Sequence, residues 1–191
     1  MPKTTTRIYL ALIHHPVINR DGQTITSSIT NLDIHDISRV ARTYGIRGFF
    51  LVTPLKDQQA LAREIIDYWT KGRGGRGNPH RREALLLCQI AGTLFEALEK
   101  IKEKEGISPL TIATGASPPR RDLSFDAAKR LIAQGRPLVI LLGTASGLSP
   151  LVFQRADYVL EPLCGPTDYN HLSVRAAAAI ILDRLLGRPC S

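Results

Sequence analysis

Cysteine is scarce in this chain, methionine and tryptophan scarcer still, and no stretch stays apolar for long. The three cysteines among 191 residues, Cys88, Cys164 and Cys190, show no CxxC spacing and leave one thiol over. That excludes a disulfide framework and fits a reducing compartment. No apolar run approaches the ~18 residues that a membrane-spanning helix requires. Residues 1–6 lead into a short alternating stretch rather than the apolar core of a signal peptide. A cytoplasmic chain with no membrane partner is the expectation. The five histidines (His14, His15, His35, His80, His171) have no HxxxH or HExxH spacing, so no metal site is expected. A GxSxG elbow and a GxxxxGKS/T phosphate loop are both missing, which removes the usual handles of hydrolases and nucleoside triphosphatases.

What is present is ordinary globular material with a basic surplus. Apolar residues make up 43% of the chain and charged residues 22%, so collagenous and disordered readings fall away. The length suits one domain over residues 1–191 with a core that needs neither metal nor disulfide. Lys and Arg number 25 against 17 Asp and Glu, a formal charge of +8. Such a balance points to a polyanionic partner, RNA first, with plain solubility as the competing explanation.

Strand and helix patterns alternate from end to end. Strands are expected at 7–14, 48–53, 83–91, 110–114, 137–142 and 158–160, and helices at 33–44, 58–69, 93–101, 124–133, 150–154 and 172–186. Residues 19–22 (Asn-Arg-Asp-Gly) are a turn signal. Thr93 and Glu96 form a capping box, and Gly45 closes the first helix. Alternation of this kind implies an α/β fold, a mostly parallel sheet with helices on both faces. Ligands in such sheets bind beyond the carboxyl ends of the strands, which directs attention to the loops after Thr114, Leu142 and Leu160.

Gly72-Arg73-Gly74-Gly75-Arg76-Gly77 matches GxGxxG, but it follows a helix and ends in Asn78-Pro79. The dinucleotide fingerprint needs a strand before it and a helix opening from it. The same run carries Lys71, Arg73, Arg76, Arg81 and Arg82 with no acid before Glu83. A flexible RNA-contacting loop is one reading and a solvated charge run the other. The three late loops offer backbone amides and carbonyls beside small side chains: Thr114, Gly115 and Ala116 in the first, Gly143, Thr144 and Gly147 in the second, Pro162, Leu163 and Gly165 in the third. With Leu142 and Leu160 as apolar walls, they suit a flat neutral heterocycle such as adenine better than a polyphosphate.

The segment from Leu141 to Leu148 (LLGTASGL), followed by Pro162-Leu163-Cys164-Gly165 and by Asn170-His171-Leu172-Ser173-Val174-Arg175, resembles the last two motifs of the SPOUT, or α/β-knot, RNA methyltransferases. Upstream, Arg39 stands six residues before Gly45 with Tyr44 between, as in the first motif of the ribose-methylating branch. Asp33 occupies the place of that motif's Asn, and Asp36 replaces a small residue. These features lean toward the base-methylating branch that includes the tRNA guanine-N1 methyltransferases. The resemblance implies a deep C-terminal trefoil knot, a homodimer, and S-adenosylmethionine held in the three loops, with Asn170, His171, Leu172 and Ser173 among its contacts. It also implies catalytic roles for Arg39 and Asp33, with Asp36 and His35 in reserve. A non-catalytic RNA-binding protein that keeps the fold is the alternative.

Overall fold

A computed structural model describes residues 6–188. Six strands form one sheet: β1 (Ile8–Ile13), β4 (Gly48–Val52), β5 (Cys88–Ala91), β6 (Leu110–Ala113), β7 (Leu138–Gly143) and β8 (Tyr158–Val159). Their order is β5-β4-β1-β7-β6-β8, and every pairing is parallel. The helices between them are α1 (Asn31–Thr43), α2 (Lys56–Thr70), α3 (Arg73–Gly77), α4 (Pro79–Leu85), α5 (Leu94–Glu105), α6 (Phe125–Ala133), α7 (Pro150–Arg155) and α8 (Val174–Leu186).

Central β1 explains the unbroken apolar run that opens the chain. It is buried on both faces, so alternate side chains enter different cores. Ile8, Leu10 and Leu12 pack with Ile34 and Ile37 of α1, Ala128 of α6 and Leu182 of α8. Tyr9, Ala11 and Ile13 pack with Ala97 and Ile101 of α5 and Val152 and Phe153 of α7. The amino end of the sheet is fastened by the Glu105 carboxylate, whose side chain is 1% exposed. It accepts from Arg7 Nε at 2.7 Å and Tyr9 Oη at 2.5 Å, and pairs with Arg47 Nε at 2.8 Å.

Two local expectations need correction, and a third gains a hairpin. Residues 71–79 are not a loop but two short helices, because Asn78 accepts a hydrogen bond from Arg81 N and Pro79 takes the first helical position. The strand expected at 83–91 begins only at Cys88, since Leu85 reaches the core as the last residue of α4. The turn at 19–22 closes a hairpin of two-residue strands, β2 (Val17–Ile18) and β3 (Thr24–Ile25), too short to leave a periodic pattern. Asn19 Oδ1 accepts from Asp21 N and Gln23 N, and Gly22 takes φ +76°. Among the described residues no helix is long and apolar enough to cross a membrane. Cys190 lies outside the described residues.

Candidate active site

The loops after β6, β7 and β8 meet at the carboxyl end of the sheet around a cleft of about 640 Å³. Thr114, Gly115 and Ala116 line it from the first loop, with Leu142, Gly143, Thr144 and Gly147 from β7 and its loop. The third loop contributes Pro162, Leu163, Asn170, His171, Leu172 and Ser173. Two expected residues do not line it: Leu160 is 1% exposed and belongs to the core, and Gly165 is exposed away from the cleft. Ser27, Ser28 and Thr30, just before α1, complete one wall, and Val174, Ala177 and Ile181 of α8 another. The small polar cluster at 27–30 is the signal that could have found the first group. The α8 residues have no signal beyond their apolar spacing.

The β7 loop is held in one shape by its backbone. A Cβ on Gly143 would stand 2.6 Å from Leu148 N, so only glycine permits that approach. Ala145 adopts φ +52°, the left-handed region, and Gly147 φ +119°. The hairpin braces the turn from outside, with Ser146 N donating to Ile18 O and Ile18 N to Gly147 O, both at 3.0 Å. Asn170 Nδ2 donates to Ala116 O at 3.2 Å and ties the third loop to the first.

Beneath the cleft lies His14, fully buried at the end of β1. Its Nδ1 is 3.0 Å from Ser27 Oγ, Ser27 touches Thr144 Oγ1, and Thr144 donates to Ile13 O at 3.0 Å. All three contacts can be hydrogen bonds in only one arrangement: the carbonyl takes the Thr144 proton, Thr144 takes that of Ser27, and Ser27 takes that of His14 Nδ1. His14 therefore carries a proton on Nδ1, and its buried Nε2 has no partner among the described residues. Burial pushes the ring down to about 4, with Asp33's charge opposing the shift only in part.

Helix α1 carries the charged candidates along one side. Thr30 caps it, accepting from Asp33 N at 3.2 Å and donating to Asp33 Oδ2 at 2.6 Å. Asp33 lines the cleft. Arg175, which follows Val174 at the start of α8, reaches Asp33 Oδ1 at 3.8 Å and Asp36 Oδ2 at 3.6 Å. The arginine paired with these carboxylates is Arg175, a residue that sequence reasoning did not single out. Asp36, Arg39 and His35 line a second hollow of about 600 Å³ between α1, α2 and α4, together with Trp69 and Arg81.

The basic segment is only partly free. Lys71 pairs with Asp67 at 2.9 Å, and Arg82 Nε donates to Thr70 O at 2.9 Å. Arg73 and Arg76 are exposed and carry no ion pair among the described residues.

The chemistry of the cleft fits an adenosyl group. Its walls are Leu142, Leu163 and Ile181, and the backbone N–H groups of Leu163 and Leu172 have no partner among the described residues. A flat base would find apolar faces and edge donors there, in a space of ordinary ligand size. The cleft offers no lysine or arginine for a polyphosphate.

Comparison with known proteins agrees. Residues 7–187 match the model of a family described as SAM-dependent RNA methyltransferase. A tRNA (guanine-N(1)-)-methyltransferase of Oleidesulfovibrio alaskensis is 43% identical over 180 residues, 94% of this chain and 42% of that protein. The chain therefore spans less than half the length of this curated relative. Among solved structures, a methylase family protein from Neisseria gonorrhoeae superposes with a TM-score of 0.64 at 18% identity, covering 98% of this chain and 85% of that one. The SpoU methyltransferase AviRb from Streptomyces viridochromogenes, solved with the cofactor AdoMet, gives 0.56 at 17% identity over 94% of this chain and 58% of its own. At such identities the likeness is one of fold.

Proposed function

We propose that this chain, which belongs to the family of S-adenosylmethionine-dependent RNA methyltransferases, methylates a base nitrogen of RNA, with guanine N1 of tRNA as the favoured target. The carrying observation is that three loops distant in sequence close on one cleft with Asp33 in its wall. The first loop (Thr114 to Ala116), the β7 turn, and the third loop with Asn170 to Ser173 hold the cofactor. Bound there, it supplies an electrophilic methyl group on a sulfonium, a good leaving group. The chain's own tasks are to orient the base and to accept the proton that its nitrogen loses. Asp33, whose Oδ2 already accepts from the Thr30 hydroxyl, takes that proton. Arg175 keeps the carboxylate in place, and Asp36 shares that arginine. Arg39 lies six residues along α1 from Asp33, ~9 Å of helix rise. It meets the RNA beside the reacting base, and Lys71, Arg73, Arg76, Arg81 and Arg82 extend the RNA-facing surface.

The same reading includes a knotted carboxyl-terminal part, one domain, a homodimer and a cytoplasmic location. The knot is supported by the path after β8. The chain leaves the sheet edge, returns to the β6 loop where Asn170 meets Ala116, and starts α8 beside α1. The dimer is supported by α8, whose apolar Ala176, Ala179 and Ile180 are only half-buried.

The test is transfer of labelled methyl to tRNA, followed by nucleoside analysis. N1-methylguanosine should form, and Asp33→Asn should slow its formation by roughly 10²–10⁴-fold. The variant should keep its affinity for S-adenosylhomocysteine. Tight cofactor binding with no transfer to any RNA would instead favour the non-catalytic RNA-binding protein.

A further inference from the structure

The glycine run that fails as a dinucleotide motif has a different job. A Cβ on Gly74 would stand 2.5 Å from Tyr68 Cε1 and 2.9 Å from Trp69 Cε3, and one on Gly75 would stand 2.1 Å from Trp69 O. The glycines let the basic α3 press directly against an aromatic pair. Those rings are perpendicular, 5.2 Å apart, and Tyr68 is 54% exposed. Arg81 lays its guanidinium over Trp69 at 4.7 Å, and His35 meets the same ring edge-on at 5.4 Å. These groups share the second hollow with Asn31, Asp36, Arg39 and Glu64.

We propose that this hollow docks an unpaired RNA nucleotide next to the one being methylated. The proposal rests on the RNA methyltransferase reading. Tyr68 and the Arg81–Trp69 layer supply stacking faces, which every base can use. Arg39 is exposed, has no ion pair among the described residues, and takes the phosphate. A bare polyphosphate fits poorly, because Glu64 and Asp36 also face the hollow. Asp36 is engaged by Arg175. Glu64 and Asn31 then suit the amino edge of guanine, adenine or cytosine. Because Arg175 bridges Asp33 of the cleft and Asp36 of this hollow, a nucleotide held here would place its neighbour at the mouth of the cleft.

Trp69 is the only tryptophan of the chain, so its emission reports on this hollow alone. Full-length protein loaded with S-adenosylhomocysteine is titrated with a mixed-sequence single-stranded RNA and with the same sequence as a blunt duplex. The single strand should quench Trp69 and the duplex should not. Tyr68→Ala should weaken single-strand binding by roughly 5- to 100-fold, while Tyr68→Phe binds as the parent does. Arg39→Gln should flatten the log–log salt slope by about 0.7. Unchanged Trp69 emission on RNA binding would overturn the proposal, as would undiminished RNA affinity in Tyr68→Ala. A change of mass in sedimentation with RNA affinity intact would make the hollow a protein interface instead. Methyl transfer by a protein whose Trp69 ignores RNA would sink this site and leave the methyltransferase reading standing. Quenching without transfer would do the reverse.

Discussion

Replacing His14 by Asn should remove a pH dependence from the stability of the whole domain. The ring sits fully buried at the end of the central strand and titrates at about 4 in the fold, because burial disfavours its charged form. In the unfolded chain it titrates at ~6.5. Between those values the unfolded state binds the extra proton, so stability is greatest above the unfolded value and falls as pH drops toward the folded one. Integrated over that window, His14 costs about 3 kcal/mol of stability, of which about 2 kcal/mol is lost between pH 7 and pH 5.

Urea unfolding followed by circular dichroism at pH 7, 6 and 5 measures this directly. His35 is shifted in the same direction, by burial first and then by the charge of Arg81, so the parent's slope contains more than His14. The difference between parent and His14→Asn isolates one residue. Asn keeps a donor for Ser27, so the polar chain to Thr144 should survive at pH 7. Equal slopes in parent and variant would refute the buried, neutral His14 ring.

Gly143→Ala drives a Cβ to 2.6 Å from Leu148 N. It should cost roughly 1–3 kcal/mol of stability, and calorimetry should show S-adenosylhomocysteine binding weakened at least tenfold, an effect of about 1.4 kcal/mol. Normal binding would remove the β7 turn from the cofactor site. Glu105→Gln leaves Arg7 and Arg47, both over a third exposed, without their shared carboxylate and should cost about 1–2 kcal/mol in chemical unfolding, with cofactor affinity unchanged. Arg175→Gln breaks only long pairs at 3.6 and 3.8 Å. Stability should move by less than about 1 kcal/mol, while methyl transfer falls roughly tenfold, equivalent to about 1.4 kcal/mol of lost positioning.

The sheet was legible because burial on both faces leaves runs such as residues 7–14 and 137–142 that little else explains. The loops of the cleft were legible for a related reason: small residues at strand ends mark backbone that must approach something closely. Residues 71–79 misled because glycine content outweighs everything else in a local reading. The deciding facts there are the Asn78 cap and the Tyr68 and Trp69 rings, which only tertiary packing brings together. Leu160 misled in the opposite sense, since a residue beginning a loop can still point into the core. The partner of Asp33 was hidden for a topological reason: Arg175 is 142 positions away in sequence, whereas Arg39 shares the helix and looks nearer.

The two ends of the sheet divide the work. At the amino end, Glu105 is buried and engaged by Arg7, Arg47 and the Tyr9 hydroxyl. At the carboxyl end the opposite holds. Among the described residues, His14 Nε2 is buried without a partner and the Leu163 and Leu172 amides are unspent, while Ala145 stays in the left-handed region. A buried, unpartnered nitrogen such as His14 Nε2 and a strained backbone such as that at Ala145 each cost on the order of 1–3 kcal/mol and persist only where the surroundings overdetermine them. Ala145→Gly should therefore stabilise the fold by about 1 kcal/mol while loosening the turn that lines the cleft. A gain in unfolding free energy accompanied by weaker S-adenosylhomocysteine binding would tie that strain to the cofactor. A gain with unchanged binding would mean that the turn is strained for reasons unconnected with the site.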